Sequence, residues 1–209
     1  TRPDLLYALQ ELATVAHAPG HDALVAIKRV FRYLLGTKDY FLQVLTGDTL
    51  TWTSFIDAGY AAGANVKSTA GHIIFLGSTA IQAQSKTIRH VVDSTAQAEA
   101  YALQQAIREI QFLQNIAEQI QIPFLNITVY TDSKALHDFS FKSGTGKRSR
   151  HWNLTLHNMK QHIGTNKLID LKLIVSTDNT ADILTKALGA SLFHKFRSQC
   201  GLTINPKEE

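Results

Sequence analysis

The chain has 209 residues, 44% hydrophobic and 18% charged, which reads as an ordinary globular chain able to bury a real core, one domain or one domain with an appendage. Lys and Arg number 21 against 17 Asp and Glu, a formal charge of +4 that permits a polyanionic partner without demanding one. The single cysteine, Cys200, excludes an internal disulfide and a cysteine-built zinc site and fits a reducing compartment. No run approaches the roughly 18 apolar residues of a membrane span, no secretory leader is visible, and a start at Thr1 reads as excision from something longer.

Residues 1–36 read as two helices. The first sets Leu5, Leu6, Leu9, Leu12 and Val15 on one side, with Asp4 as the expected N-cap, and Pro19-Gly20 breaks it. The second runs from about His21 to Leu35, mixing Val25, Ile27, Val30, Phe31 and Leu34 with Lys28, Arg29 and Arg32, and Gly36 closes it. Strand chemistry begins at Tyr40–Leu45, followed by a turn at Gly47-Asp48. Leu50–Ile56 leads to Asp57, Gly71–Leu76 turns at Gly77-Ser78, and Ala80–Gln84 follows; the short links predict an antiparallel meander.

A long helix is predicted from near Ser94 to about Ile120, with Asp93, Ser94 and Thr95 as rival caps. After Pro123 comes a strand, Ile127–Tyr130, that stops at Asp132, then a short helix over Ser133–Phe139. A Gly/Ser/Lys/Arg loop, residues 142–150, leads to a helix through Lys160 and a strand over Leu168–Val175. Asp178–Leu188 reads as a helix with Asp178 as its cap, and Ser191–Cys200 as another; Pro206–Glu209 is expected to fray. The order β-β-β-α-β-α-α-β-α after a helical preface predicts an α/β fold with a mixed sheet.

Four acidic residues stand where strands end or helices begin: Asp57 in FIDAGYAAG, Glu99 in STAQAEAYAL, Asp132 in VYTDSKAL and Asp182 in TDNTADILTK. Singly, each reads as a cap or turn residue. Together at one sheet edge they would repel one another unless cations neutralised them, and hard divalent ions take such oxygen ligands. Two ions about 3.5–4 Å apart can clamp an in-line phosphoryl displacement. Asp138 and Asp170 have no partner motif and read as solvated.

At these segments the chain resembles the RNase H domain of copia-type retrotransposon polyproteins, within the wider RNase H-like family. TRPDLLYALQELA and IKRVFRYLLGT resemble the end of the preceding reverse transcriptase region. FIDAGYAAG with KSTAGHIIFLG resembles the first two strands, and RSRHWNL and ADILTKAL resemble the basic-plus-His segment and the C-terminal signature. The resemblance implies a five-stranded mixed sheet, antiparallel then parallel, flanked by helices. It divides the chain into a helical end of the polymerase or connection region (1–48), the RNase H domain (49–190) and a C-terminal helix and tail (191–209). It implies that Asp57, Glu99, Asp132 and Asp182 are catalytic and hold two Mg2+ ions, with Mn2+ as a substitute. The implied substrate is an RNA/DNA hybrid, the implied partner the reverse transcriptase of the same polyprotein, and the implied location a cytoplasmic retrotransposon particle.

Several positions depart from the family pattern. Gly59 and Gln97 stand where further acidic residues are common, Ala100 replaces an aromatic and Asn153 an acid, and Ser176–Thr180 lacks the histidine found before the last Asp in some members. For substrate contacts, Ser133, Ser94 and Gln97 are candidates to read 2′-hydroxyls, Ser133 being equally a plain N-cap. Lys147, Arg148, Arg150 and His151, in the densest basic stretch, are candidates for phosphates, with Lys86 and Arg89 extending the track. Trp52 is expected to pack in the sheet and Trp152 in the core. Two other readings stay open: a non-catalytic module that positions nucleic acid, which gains nothing from clustered negatives, and another two-metal nuclease of the same superfold.

Overall fold

The computed structural model describes residues 2–44, 50–61, 67–124, 126–141, 153–165 and 167–204. In chain order the elements are α1 (Leu6–Thr14), α2 (His21–Gly36), β1 (Tyr40–Leu42), β2 (Trp52–Gly59), β3 (Thr69–Leu76) and β4 (Thr79–Thr87). Then come α3 (Thr95–Gln119), β5 (Ile127–Thr131), α4 (Lys134–Phe141), α5 (Asn153–Lys160), β6 (Ile169–Leu173), α6 (Ala190–Gln199) and β7 (Leu202–Ile204). Five strands form one sheet in the order β4-β3-β2-β5-β6. β4, β3 and β2 pair antiparallel; β5 and β6 join β2 in parallel. This is the mixed sheet expected from the sequence.

β2 is central and is buried along nearly its whole length, because helices cover both faces of the sheet. On one face α3 lays Ala98, Ala102, Leu103, Ala106, Ile107 and Ile110 against Ile56, Ile74, Ile127 and Val129. The small alanines let the helix approach closely while Leu and Ile fill the remaining volume. Ser94 caps α3 by accepting from the Gln97 N–H at 3.3 Å, and the Gln97 side chain accepts from the Asp93 N–H at 2.8 Å. Ser94 is therefore the cap among the three rivals, and Gln97 reaches back past it to hold the preceding Asp93 N–H. Trp52 lies in the core, its Nε1 donating to the Pro123 carbonyl at 3.1 Å.

The opposite face has a smaller core of Ile73, Phe75, Ala80, Ile183, Leu184, Phe196 and Cys200. Here the sequence expectations need correction. Asp178–Leu188 is not an α-helix: Ser176–Asp178 and Thr180–Leu184 are 3-10 turns. Asn179, not Asp178, caps the second turn, accepting from the Ala181 N–H at 3.2 Å, while Asp178 pairs with Lys195 at 2.6 Å. Asp170 pairs with Lys172 at 2.9 Å on the surface.

Asp4 is not a helix cap either. It sits in a short 3-10 turn, Pro3–Leu5, where it is buried and paired with Arg2 at 2.8 Å. Asp4 also accepts from the Tyr33 hydroxyl at 2.7 Å, which accepts from Arg197 at 3.2 Å; Arg197 in turn donates to the Tyr40 hydroxyl at 2.9 Å. This polar chain ties the N-terminal helices to α6. β1 pairs antiparallel with β7, a short strand that local pattern does not announce. Val30 is the only fully buried residue of α2 among the described residues. A groove of about 660 Å³ runs between α1, α2 and the segment leading into α6. Among the described residues, no helix is long and apolar enough to cross a membrane.

Candidate active site

The parallel pairing of β2 with β5 brings the C-terminal ends of both strands to one edge of the sheet. Asp57 lies near the end of β2, opposite Gly71 on β3, and Asp132 directly follows β5. The 3-10 turn Thr180–Leu184 crosses the same edge and presents Asp182. One carboxylate oxygen from each of Asp57, Asp132 and Asp182 lies within 4.8 Å of the others. Glu99 is not part of that trio. It sits one turn into α3, buried, with the Ala58 N–H bonded to its carboxylate, and its Oε2 is buried without a hydrogen-bond partner among the described residues.

Burial and mutual repulsion raise the proton affinity of this cluster. Glu99 is pushed well above the usual carboxylate range, first by desolvation and then by Asp57 and Asp132. Asp57 is raised by burial and by Asp132, against the opposing pull of Lys186 and the Thr185 hydroxyl. Asp182 is lifted to about 6 by burial and by Asp57. For Lys186, burial works against the charged form, yet Asp57 and Asp182 prevail and hold the ammonium at about 12. These are the terms expected when like charges share a desolvated site.

Local contacts fasten Asp182 to the sheet. Asn179, fully buried, donates to the Ile56 carbonyl at 2.9 Å and to Asp132 Oδ1 at 3.4 Å while capping its own turn. The Ser85 hydroxyl donates to the Leu184 carbonyl at 2.6 Å, and the Thr185 hydroxyl donates to Asp57. β3 and the turn approach so closely that a β-carbon at Gly71 would lie 2.7 Å from Thr185 Cγ2 and 2.8 Å from Leu184 Cβ. Lys186 Nζ stands 2.9 Å from Asp182 Oδ1 and 3.4 Å from Asp57 Oδ1. The sequence reading assigned no role to Asn179, Thr185 or Lys186. For Lys186 the signal was present in its four-residue spacing from Asp182.

The trio offers hard carboxylate oxygens, and the buried Glu99 Oε2, outside the trio, has no partner among the described residues. That chemistry fits a divalent cation such as Mg2+ or Mn2+, whose charge would relieve the repulsion that raises these pKa values.

Ser133 caps α4, its hydroxyl accepting from the Leu136 N–H at 3.2 Å. Lys147, Arg148, Arg150, His151 and Trp152 lie outside the described residues. Gly59 ends β2 opposite Thr69. Beside that end, a cleft of about 390 Å³ is lined by Tyr60, Lys67, Ser68, Arg89 and His90 among others, which places Arg89 near the acidic edge.

No family model matches the chain. It is 31% and 32% identical over 209 residues to the retrovirus-related Pol polyproteins from transposons RE1 and RE2 of Arabidopsis thaliana. Those matches cover 99% of this chain and 14% of each polyprotein, so the chain spans about one seventh of the length of these relatives. Among solved structures, it is similar to LC11-RNase H1, isolated from compost, at a TM-score of 0.50 and 19% identity, over 66% of this chain and 94% of that one. The fold is RNase H-like.

Proposed function

We propose that this chain, a homologue of the Pol polyproteins of plant copia-type retrotransposons with an RNase H-like fold, is a ribonuclease H that hydrolyses the RNA strand of an RNA/DNA hybrid during reverse transcription. One observation carries the reading: Asp57, Asp132 and Asp182 converge at the sheet edge, with the buried, unpartnered Glu99 oxygen beside them. A surface that only positioned nucleic acid would gain nothing from buried negative charge facing phosphates.

In this reading the four carboxylates hold the divalent ions, Mg2+ or Mn2+. When bound there, such ions would supply activation of a water and charge stabilisation of the leaving oxygen. The chain supplies the positioning. The Thr185 hydroxyl orients Asp57, Asn179 orients Asp132, and Gly71 lets the Asp182 turn sit against β3. Desolvation of Glu99 and Asp57 strengthens their interaction with any cation they hold. The cleft with Lys67 and Arg89 is suited to backbone phosphates, and Lys147, Arg148, Arg150 and His151 extend the basic track by sequence. Ser133 keeps its place as a candidate 2′-hydroxyl contact, although its side-chain oxygen already caps α4.

Homology to Pol polyproteins supports a reverse transcriptase as the covalent partner and a retrotransposon particle as the setting. Residues 1–48 then belong with the polymerase end, 49–190 with the nuclease and 191–209 with a C-terminal helix and tail, with the β1–β7 pair bridging the outer two segments. The test is cleavage of a labelled RNA/DNA hybrid with Mg2+ or Mn2+, alongside RNA/RNA and DNA/DNA duplexes, by wild type and Asp132→Asn. Metal-dependent cutting of the hybrid's RNA alone, lost in the variant, is expected. Hybrid binding without cutting under either metal would turn the reading toward a positioning module.

A further inference from the structure

Lys186 is in contact with two members of the acidic trio, and its ammonium bridges Asp57 Oδ1 and Asp182 Oδ1. A divalent ion using the same oxygens would sit about 2.0–2.1 Å from them. It would then lie within about 5 Å of the ammonium, and like charges at that range in a partly buried site repel. The two cations therefore compete for those oxygens. We propose that Lys186 is a resident counter-ion that holds Asp57 and Asp182 together in the metal-free protein and must be displaced for a divalent ion to bind, so that it sets the metal affinity of the site.

The surroundings allow that displacement. The Lys186 side chain is 37% exposed, against 2% for Asp57 and 9% for Asp182, so it meets solvent on one side. Lys186 also lines the groove of about 660 Å³ beside α1 and α2, a largely apolar groove whose charged lining is Asp4, Glu11, Asp22 and Arg29. A displaced ammonium can therefore move into solvent on its exposed side.

This proposal rests on the divalent-metal reading, and its test separates the two. Binding of MnCl2 and MgCl2 to the full chain is measured by calorimetry for wild type, Lys186→Met and Lys195→Met. Lys195 pairs with Asp178 outside the trio and controls for the loss of one positive charge. In parallel, acetylation of each lysine in the wild type is followed by mass spectrometry with EDTA or with saturating Mg2+. The expected result is about tenfold tighter binding by Lys186→Met, equivalent to ~1.4 kcal/mol, with Lys195→Met like wild type. Lys186 becomes severalfold more reactive when the ion binds, and Lys195 does not. If wild type binds metal but Lys186→Met binds no tighter and Lys186 reactivity is unchanged, the counter-ion role is wrong and the metal reading stands. If neither protein binds a divalent ion, both are wrong. Should Lys186→Met fail to fold, the wild-type acetylation pattern decides alone.

Discussion

The two faces of the sheet are built differently. The α3 face is a broad aliphatic core, and Glu99 projects from the helix that makes it. The other face is a small core roofed by a 3-10 turn and α6, and Asp182 rides on that turn. Glu99 owes its position to bulk burial. Asp182 owes its position to a few specific contacts: a missing β-carbon at Gly71, the Ser85 and Thr185 hydroxyls, and the Asn179 amide. Burial resists small perturbations because it is spread over many atoms, whereas a mount of single contacts changes with each one.

The largest effect separating the faces comes from Leu103→Ala in α3. The residue is fully buried, and its loss should cost about 2–5 kcal/mol of unfolding free energy in urea. Metal affinity of the remaining folded protein should be nearly unchanged; a variant that kept full stability would contradict the division. Gly71→Ala should cost ~1–3 kcal/mol from overpacking, and it should also push the Asp182 turn outward. Its signature is weakened metal binding and hybrid cleavage with an unaltered far-UV spectrum, a pattern Leu103→Ala should not show.

Protonation offers a third separation. The Asp182 pKa lies at about 6 in the folded protein against an ordinary 3.8, so its contribution to stability is fully present below about 4 and is lost as pH rises through about 6. In EDTA, Asp182→Asn should therefore melt several degrees above wild type at pH 7, with the gap closing toward pH 4. Mg2+ should narrow or reverse the gap at pH 7. Buried His72, lowered to about 4 from 6.5 chiefly by desolvation, acts oppositely: its contribution is present above 6.5 and lost as pH falls through about 4. That term is common to both proteins and cancels in the comparison. Equal melting temperatures at every pH would show that Asp182 is not under the strain its surroundings imply. The smallest effect is Ser85→Ala, which removes one hydrogen bond to Leu184, for about 0.5–1.5 kcal/mol. Metal titration should register it as a two- to threefold loss of affinity.

The same division governs what could be read in advance. The α3 face was legible because helix period, the Ser94 cap and apolar spacing all agree over twenty-five residues. Asp57 and Asp132 were legible because strand patterns end beside them. The Asp182 turn was misread because Ile183, Leu184, Ala187 and Leu188 carry helical spacing. The 3-10 turn ends where the Leu184 carbonyl accepts from Ser85 and the Thr185 hydroxyl turns to Asp57, so tertiary partners prevail over local helical propensity. Asn179 and Gly71 escape a sequence reading for the same reason, since their partners lie far away in sequence; Lys186 differs, because Asp182 stands only four residues before it. β7 was missed because a three-residue strand defined by pairing with β1 has almost no pattern of its own.

Strand order also sets the order of assembly. β2, β3 and β4 are consecutive and pair as a meander, but the parallel partner of β2 lies beyond the whole of α3, and the Asp182 turn arrives later still. Contacts that close long loops form slowly, so the meander with α3 is the natural nucleus and the Asp182 turn docks late. The carboxylate trio is complete only after that last step. A divalent ion that recognises the finished trio then has little to grip in the folding transition state. Its stabilisation should appear almost wholly as slower unfolding, leaving the refolding rate as it was.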